Sequence, residues 1–205
     1  MMTRAISILL LAAGAAAAQI AVPRIGCFVD DARRLRPVLG VAGNFLIGEP
    51  EAEEVLAAVC MDNLTIVKRA ESLEIRTRDG VSERSAPAGT ALFQLADKGS
   101  NVLVFFPETG EWLSVSRRSV RTVEHEEMGT ETLLLPNGGR LTSRGAELVL
   151  IDAAGEERTI ALPGEAASLE WLGQGWVRIR LAGDEGHVAF SLDREQVYRL
   201  PEAAQ

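Results

Sequence analysis

The side chains able to perform acid–base or nucleophilic chemistry are few and scattered along this sequence. Only two histidines occur, His125 and His187. The sequence contains no Gly-x-Ser-x-Gly elbow, phosphate-binding loop, dinucleotide fingerprint or metal-spaced set of Cys and His residues. This composition disfavours nucleophilic and zinc chemistry, so we expect no catalytic residues, no cofactor and no metal.

His125 is the histidine with acidic neighbours, since residues 124–127 read Glu-His-Glu-Glu. In an extended strand only His125 and Glu127 would share a face, and two ligands make a weak metal site. A solvated acidic loop is the favoured interpretation. His187 follows an Asp-Glu-Gly segment, which is typical of a turn residue that opens a strand.

Aspartates recur at the predicted strand ends and allow two interpretations. Paired carboxylates hydrolyse glycosides, and a ring of strands would gather such residues at its mouth. Aspartate also favours turns for the hydrogen bonds it makes to its own backbone, and this interpretation is preferred. The residues concerned are Asp30, Asp31, Asp62, Asp97, Asp152 and Asp193.

Aromatic residues offer a second candidate surface, because Trp and Tyr combine a large apolar ring with a polar handle. The candidates are Trp112, Trp171, Trp176 and Tyr198, of which Trp112 and Trp176 begin predicted strands, where partial exposure would let them contact a sugar. Packing in the core is the commoner fate of aromatic residues within apolar strands and is the preferred interpretation. The candidate ligand surface therefore consists of Trp112, Trp176, Asp31, Asp152 and Asp193.

The two cysteines, Cys27 and Cys60, leave two states open. In an oxidising compartment an even number of cysteines favours a disulfide, here closing a loop of about 34 residues. Two buried free thiols are the alternative, because cysteine is among the most often buried residues.

The first eighteen residues have the pattern of a cleavable signal peptide. Arg4 precedes an apolar run over residues 5–18, and Ala16 to Ala18 form a small-residue cleavage site before Gln19. A membrane-spanning helix needs about 20 apolar residues, so we expect no span after cleavage. We predict a periplasmic or secreted protein in which residues 19–205 form a single domain.

The net charge of −8 restricts the partners of this 205-residue chain. Binding to nucleic acid or to anionic lipid depends on clustered Lys and Arg. A nucleic acid partner is therefore disfavoured, and an unidentified protein or glycan is expected instead.

A hairpin unit recurs five times along the chain, each with an apolar strand, a polar turn and a second strand. The turns lie at residues 31–34, 69–72, 107–110, 152–155 and 193–196. Strands such as Val102–Phe106 are apolar at every position, which indicates burial of both faces. The last residues of the first strands are separated by 38, 38, 45 and 41 positions: Asp30, Lys68, Phe106, Ile151 and Leu192.

A period near 40 residues is typical of β-propeller blades. The units resemble degenerate blades of exported bacterial β-propeller-like repeat proteins of unassigned function, and this resemblance implies architecture only. We predict an all-β fold of about five short blades, with the five turns on one rim and the first and last units in contact. A β-sandwich or an irregular β-barrel is the alternative.

These observations favour an exported, non-catalytic binding or scaffold module of the cell envelope. The alternative is a small carbohydrate-active hydrolase that uses carboxylates at the mouth of a central channel.

Overall fold

The computed structural model of the chain describes residues 22–97, 100–125, 131–173, 175–183 and 186–202. The predicted signal peptide lies outside the described residues. Nineteen β-strands account for the regular structure described. No helix in these segments is long and apolar enough to cross a membrane.

The strands form five antiparallel sheets, which we call blades 1 to 5 in chain order. Blade 1 consists of β1 (Arg24–Val29), β2 (Leu35–Val41) and β3 (Asn44–Ile47). Blade 2 consists of β4 (Ala57–Met61), β5 (Leu64–Lys68), β6 (Ser72–Thr77) and β7 (Gly80–Ser85). Blade 3 consists of β8 (Leu92–Ala96), β9 (Asn101–Phe106), β10 (Glu111–Ser116) and β11 (Val120–Val123).

The last two blades also have four strands each. Blade 4 consists of β12 (Thr132–Leu134), β13 (Arg140–Arg144), β14 (Glu147–Ile151) and β15 (Glu157–Ala161). Blade 5 consists of β16 (Ala166–Gly173), β17 (Trp176–Leu181), β18 (His187–Ser191) and β19 (Gln196–Arg199). Strand order within every sheet follows the chain, so each blade is a meander of hairpins.

Tight turns connect successive strands of each meander. Between β13 and β14 the pair Arg144 and Glu147 leaves a two-residue loop in which Gly145 has a φ of 61°. Two-residue hairpin loops need positive φ to match the right-handed twist of their strands, and glycine adopts it without steric cost. The sequence has few helix signals and many glycines, and both features favour the short twisted sheets that the structure contains.

The five sheets form a closed ring. The innermost strands of blades 2 to 5, namely β4, β8, β12 and β16, contact one another around the centre. Strand β1 contacts both β4 and β16, so blade 1 sits between blades 2 and 5. This arrangement confirms the predicted propeller and the contact of the first and last units.

Among the described residues, blade 1 has no strand in the innermost position that the other blades fill. Ile25, near the start of β1, lies against Gly173 at the end of β16, while Val29, at the end of β1, accepts a hydrogen bond from Arg178, which also binds Glu170 earlier in β16. Strand β1 is therefore antiparallel to the inner strands and corresponds to the second strand of a complete blade. In the described part of the chain, β1 pairs within its sheet only along the edge that faces β2.

The prediction that all five turns share one rim is wrong. The turns at 31–34, 69–72 and 107–110 follow strands equivalent to the second strand of a blade. The turns at 152–155 and 193–196 follow the third strands β14 and β18. Successive antiparallel strands reverse direction, so these last two turns lie on the opposite face of the ring.

The main core is shared by blades 2 to 5, and its members come from facing strands of neighbouring sheets. Strand β9 buries side chains on both faces, as its apolar sequence predicts: Val104, Phe105 and Phe106 are all at most 5% exposed. Two smaller clusters fill the junctions of blade 1. One joins blade 1 to blade 5 through Phe28, Val38 and Leu172, and the other joins it to blade 2 through Cys27, Val55 and Val67.

Two glycines allow β1 and β16 to touch along their backbones. A Cβ atom on Gly26 would lie 1.7 Å from the carbonyl oxygen of Leu172. A Cβ atom on Gly173 would lie 2.0 Å from the carbonyl oxygen of Ile25. Only residues without a side chain fit this junction.

On its other side β1 is bonded covalently to blade 2. Cys27 and Cys60 form a disulfide whose Cα atoms are 5.6 Å apart, which confirms the bonded state and excludes the two free thiols. Both residues are buried, at 1% and 4% exposure. The bond therefore fixes the first blade to the inner strand of the second.

The substitution Gly26→Ala should lower the free energy of unfolding by about 3 kcal/mol, because a side chain there overlaps backbone atoms that cannot rotate away. Gly110→Ala is the matched comparison: Gly110 has a φ of 70° and no atom within 4 Å of its would-be Cβ. It should lose only about 1 kcal/mol through backbone strain. Urea unfolding of both variants measures this, and equal losses would contradict the proposed close contact.

Replacing both cysteines by alanine should lower the free energy of unfolding by up to about 4 kcal/mol, because the unfolded chain regains the entropy of a loop of about 34 residues. Urea unfolding with and without a reductant measures the effect. The reductant should destabilise the native protein and leave the double variant unchanged. A native protein insensitive to the reductant, with both thiols then shown to be free, would refute this expectation.

Candidate functional site

The structure does not bring the five residues of the predicted ligand surface together. Trp112 is buried at 3% exposure, as core packing predicts, and offers no surface to a ligand. Its indole stacks on Phe105, with 4.6 Å between ring centroids, and its ring centroid lies 4.9 Å from that of His125. Glu127, the other residue of the metal pair considered above, lies outside the described residues.

Trp176 is half-buried at the junction of blades 1 and 5. Its ring meets Phe45 edge-on at 5.5 Å and Tyr198 at 5.8 Å. Such edge-to-face contacts add to the stability that area burial provides. Trp176 and Tyr198 therefore help to close the ring.

The three candidate aspartates divide between the two faces. Asp152 accepts hydrogen bonds from the backbone N–H groups of Ala154 and Glu156, at 2.8 and 3.0 Å, which is ordinary turn chemistry. Asp193 is exposed in the turn before β19, on the same face as Asp152. Asp31 lies on the other face, at the centre of the ring, where it lines a cavity.

This central cavity has a volume of about 370 Å³ and opens on the face that carries the turn between β1 and β2. We call this side of the ring the cavity face. Apolar side chains from the inner strands and the segments before them form the walls: Val55, Leu92, Phe93, Leu133, Leu169 and Trp171. Charged side chains stand around them: Asp30, Asp31, Arg33, Glu170, Arg178 and Arg180.

Asp30 is held by two arginines at the cavity edge. Arg36 Nε donates to its carboxylate at 2.7 Å, and Arg34 Nε donates at 2.9 Å. Burial acts to raise the pKa of Asp30, but these hydrogen bonds outweigh it and hold the pKa below its usual value. Asp30 is thus a fixed anion, unsuited to donating a proton.

Arg178 is the buried cation of the site, only 6% exposed. Its guanidinium donates to the backbone oxygen of Val29 at 3.2 Å and to Glu170 at 3.3 Å, and it lies 4.5 Å from the ring centroid of Phe28. Burial lowers the pKa of Arg178, and Glu170 and Asp31 oppose that shift. An arginine remains charged in such a place, so the cluster contains a permanent cation.

His187 lies on the far side of Arg178, in a second cavity of about 770 Å³ on the same face. Its Nε2 atom is 3.0 Å from Arg178 Nη2, and the guanidinium must be the donor. Burial, with Arg178 and Arg180 adding to it and Asp31 opposing it, lowers the pKa of His187 to about 4. The imidazole is therefore neutral near pH 7.

Local sequence patterns carry only a faint signal for this cluster. Arg178 and Arg180 alternate with apolar residues in β17, a pattern that predicts both arginines on one exposed face. Arg180 is exposed as this pattern predicts, whereas Arg178 is buried. Its backbone acceptor is 149 positions away in the sequence, which no local pattern reveals.

Within the described segments, no group of three His, Cys, Asp or Glu residues is placed to hold a metal ion. The chemistry that the central cavity offers is therefore that of fixed charges and hydrogen-bond donors beside an apolar wall.

Comparison with known proteins places the chain in no family. No family model matches the sequence, and no curated protein matches it. A functionally unknown protein from Desulfotomaculum acetoxidans is similar in structure, with 13% identity over 86% of this chain and 65% of its own, and a TM-score of 0.37.

Two solved structures with stated activities are also similar. A gluconolactonase from Xanthomonas campestris has 16% identity over 76% of this chain and 68% of its own, with a TM-score of 0.36. Streptogramin B lyase has 12% identity over 86% of this chain and 68% of its own, with a TM-score of 0.36. All three TM-scores are below 0.5, and the similarity adds nothing on function.

His187 should titrate near pH 4 in an NMR experiment that follows its ring protons, with His187→Gln used to assign the signal. The unfolded chain takes up this proton near pH 6.5 and the folded chain only near pH 4. The free energy of unfolding should therefore fall as the pH drops between these values, and less so in the variant. Titration of the folded protein near pH 6.5 would contradict the buried Arg178–His187 contact.

Proposed function

We propose that this protein is an exported, non-catalytic binding module of the cell envelope whose ligand enters the central cavity. The observation that carries the proposal is the cavity itself, with an apolar wall and a small number of charged groups converging at its mouth. Binding sites for small ligands commonly combine these two features.

The inner strands that form the cavity are held rigidly. Gln94 on β8 binds the neighbouring strand β12 through both ends of its amide: Nε2 donates to the oxygen of Thr132 at 3.3 Å, and Oε1 accepts from the N–H of Leu134 at 2.9 Å. Gln94 is 3% exposed. A site on rigid strands loses little conformational entropy when a ligand binds, which supports a binding role.

Export is supported by two independent features. Residues 1–18 have the sequence pattern of a cleavable signal peptide. The Cys27–Cys60 disulfide is of a kind that persists in oxidising compartments such as the periplasm or the medium.

A second candidate function is carbohydrate hydrolysis, because two carboxylates, Asp31 and Glu170, line the same cavity. Glycosidases use one carboxylic acid as proton donor and a second carboxylate as nucleophile or base. Glu170 is already paired with Arg178, and Asp30 is fixed as an anion, so the binding role is preferred. Hydrolysis of glycosides by the native protein and its loss in Asp31→Asn and Glu170→Gln would favour the second candidate.

Filling the mouth of the cavity should abolish binding. Thr90 is an exposed residue that lines the cavity, and Thr90→Trp places an indole there. The purified protein should bind one class of compound on a combined glycan and peptide array, and Thr90→Trp should lose at least tenfold in affinity, equivalent to about 1.4 kcal/mol.

Thr159→Trp is the matched control, since Thr159 is exposed on the outer strand β15, away from the cavity. This variant should bind as the native protein does. Equal binding by all three proteins would show that the ligand site lies elsewhere, and hydrolysis of an arrayed glycan would favour the enzymatic candidate.

A further inference from the structure

The surroundings of the central cavity differ in charge from the rest of the chain. The chain has a net charge of −8, yet the cavity lining holds three arginines against three acids. Directly behind Asp30 stand two more arginines, Arg34 and Arg36. Five guanidinium groups therefore face three carboxylates in this region of an acidic protein.

Most acidic side chains of the cavity lining already form ion pairs. Asp30 is bound by Arg34 and Arg36, and Glu170 by Arg178. Within the described part of the chain, Arg33 and Arg180 form no ion pair. Asp31 is the remaining carboxylate of the lining, so two unpaired cations face one unpaired anion at the mouth.

We propose that the central cavity binds the carboxylate group of a small organic acid, with Arg33 and Arg180 contacting it at the mouth. This inference rests on the proposed binding function and names its ligand class. The acid is either free or the terminal group of a longer glycan or peptide.

A carboxylate fits these groups better than other ligand chemistries. Arginine is protonated throughout and only donates hydrogen bonds, so it matches a ligand that accepts them. The planar guanidinium fork pairs with both oxygens of a carboxylate. The apolar walls of Phe93 and Leu133 complement a ring or hydrocarbon body, and a volume of about 370 Å³ limits that body to a small molecule or one terminal residue.

The experiment compares acids with their neutral amides by isothermal titration calorimetry at millimolar concentration. One pair is galacturonate and galacturonamide, representing a glycan source. The other pair is N-acetylphenylalanine and its amide, representing a peptide terminus. At least one acid should bind about tenfold more tightly than its amide, the difference expected for a charge-assisted contact, and the pair that responds identifies the source.

Variants assign the preference to the named residues. The double variant Arg33→Gln with Arg180→Gln should bind the acid and the amide equally. The control, Arg117→Gln with Arg118→Gln, removes the same charge from the exposed turn before β11 and should leave the preference unchanged.

The outcomes separate this inference from the proposed function. If acid and amide bind equally and Thr90→Trp abolishes both, the cavity binds ligands but the carboxylate assignment is wrong. If no acid binds while the array identifies a neutral ligand that Thr90→Trp no longer binds, the cavity again binds ligands and the carboxylate assignment is again wrong. If neither the array nor calorimetry detects binding at the cavity, both proposals fail.

Discussion

The unpaired inner edge of β1 is the constraint on which the rest of the molecule depends. A strand edge carries free N–H and C=O groups, which invite pairing with other chains unless they are covered. No strand of the described segments covers this edge of blade 1. Three contacts take its place: Arg178 donates to the oxygen of Val29, Gly26 packs against Gly173, and the disulfide fixes Cys27 to blade 2. The ring closes through these contacts.

Closing the edge with an arginine has consequences for the centre of the ring. A buried guanidinium is unfavourable unless its charge is paired and its donors are bound. Glu170, the ring of Phe28 and a neutral His187 meet part of this requirement, and one donor of Arg178 remains unbound. The charged cluster at the cavity is therefore tied to the incomplete first blade, which connects the topology of the fold to the chemistry of its candidate site.

Local patterns in the sequence predict the strands and the ring, because apolar runs and turn residues act over a few positions. They leave the disulfide as one of two open states of Cys27 and Cys60. They do not predict which strand of a blade a given hairpin forms. The spacing of 45 between Phe106 and Ile151 conceals a shift from the second strand of blade 3 to the third strand of blade 4. The candidate site was predicted only at Asp31, since Arg178 and Glu170 acquire their roles through contacts with distant parts of the chain.

The same contacts hold the first blade and the rim of the cavity. Asp31 and Arg33 come from the turn that follows β1, and this turn is fixed to the segment before β4 by the hydrogen bond from the N–H of Val55 to the oxygen of Arg33, at 2.9 Å. The disulfide joins the middle of β1 to Cys60, near the other end of β4. Asp31 and Arg33 belong to blade 1, whereas Glu170 and Arg180 belong to blade 5. The distance across the cavity mouth between them therefore depends on how blades 1 and 5 close the ring. Ring closure and the geometry of the cavity mouth therefore cannot vary independently in this protein.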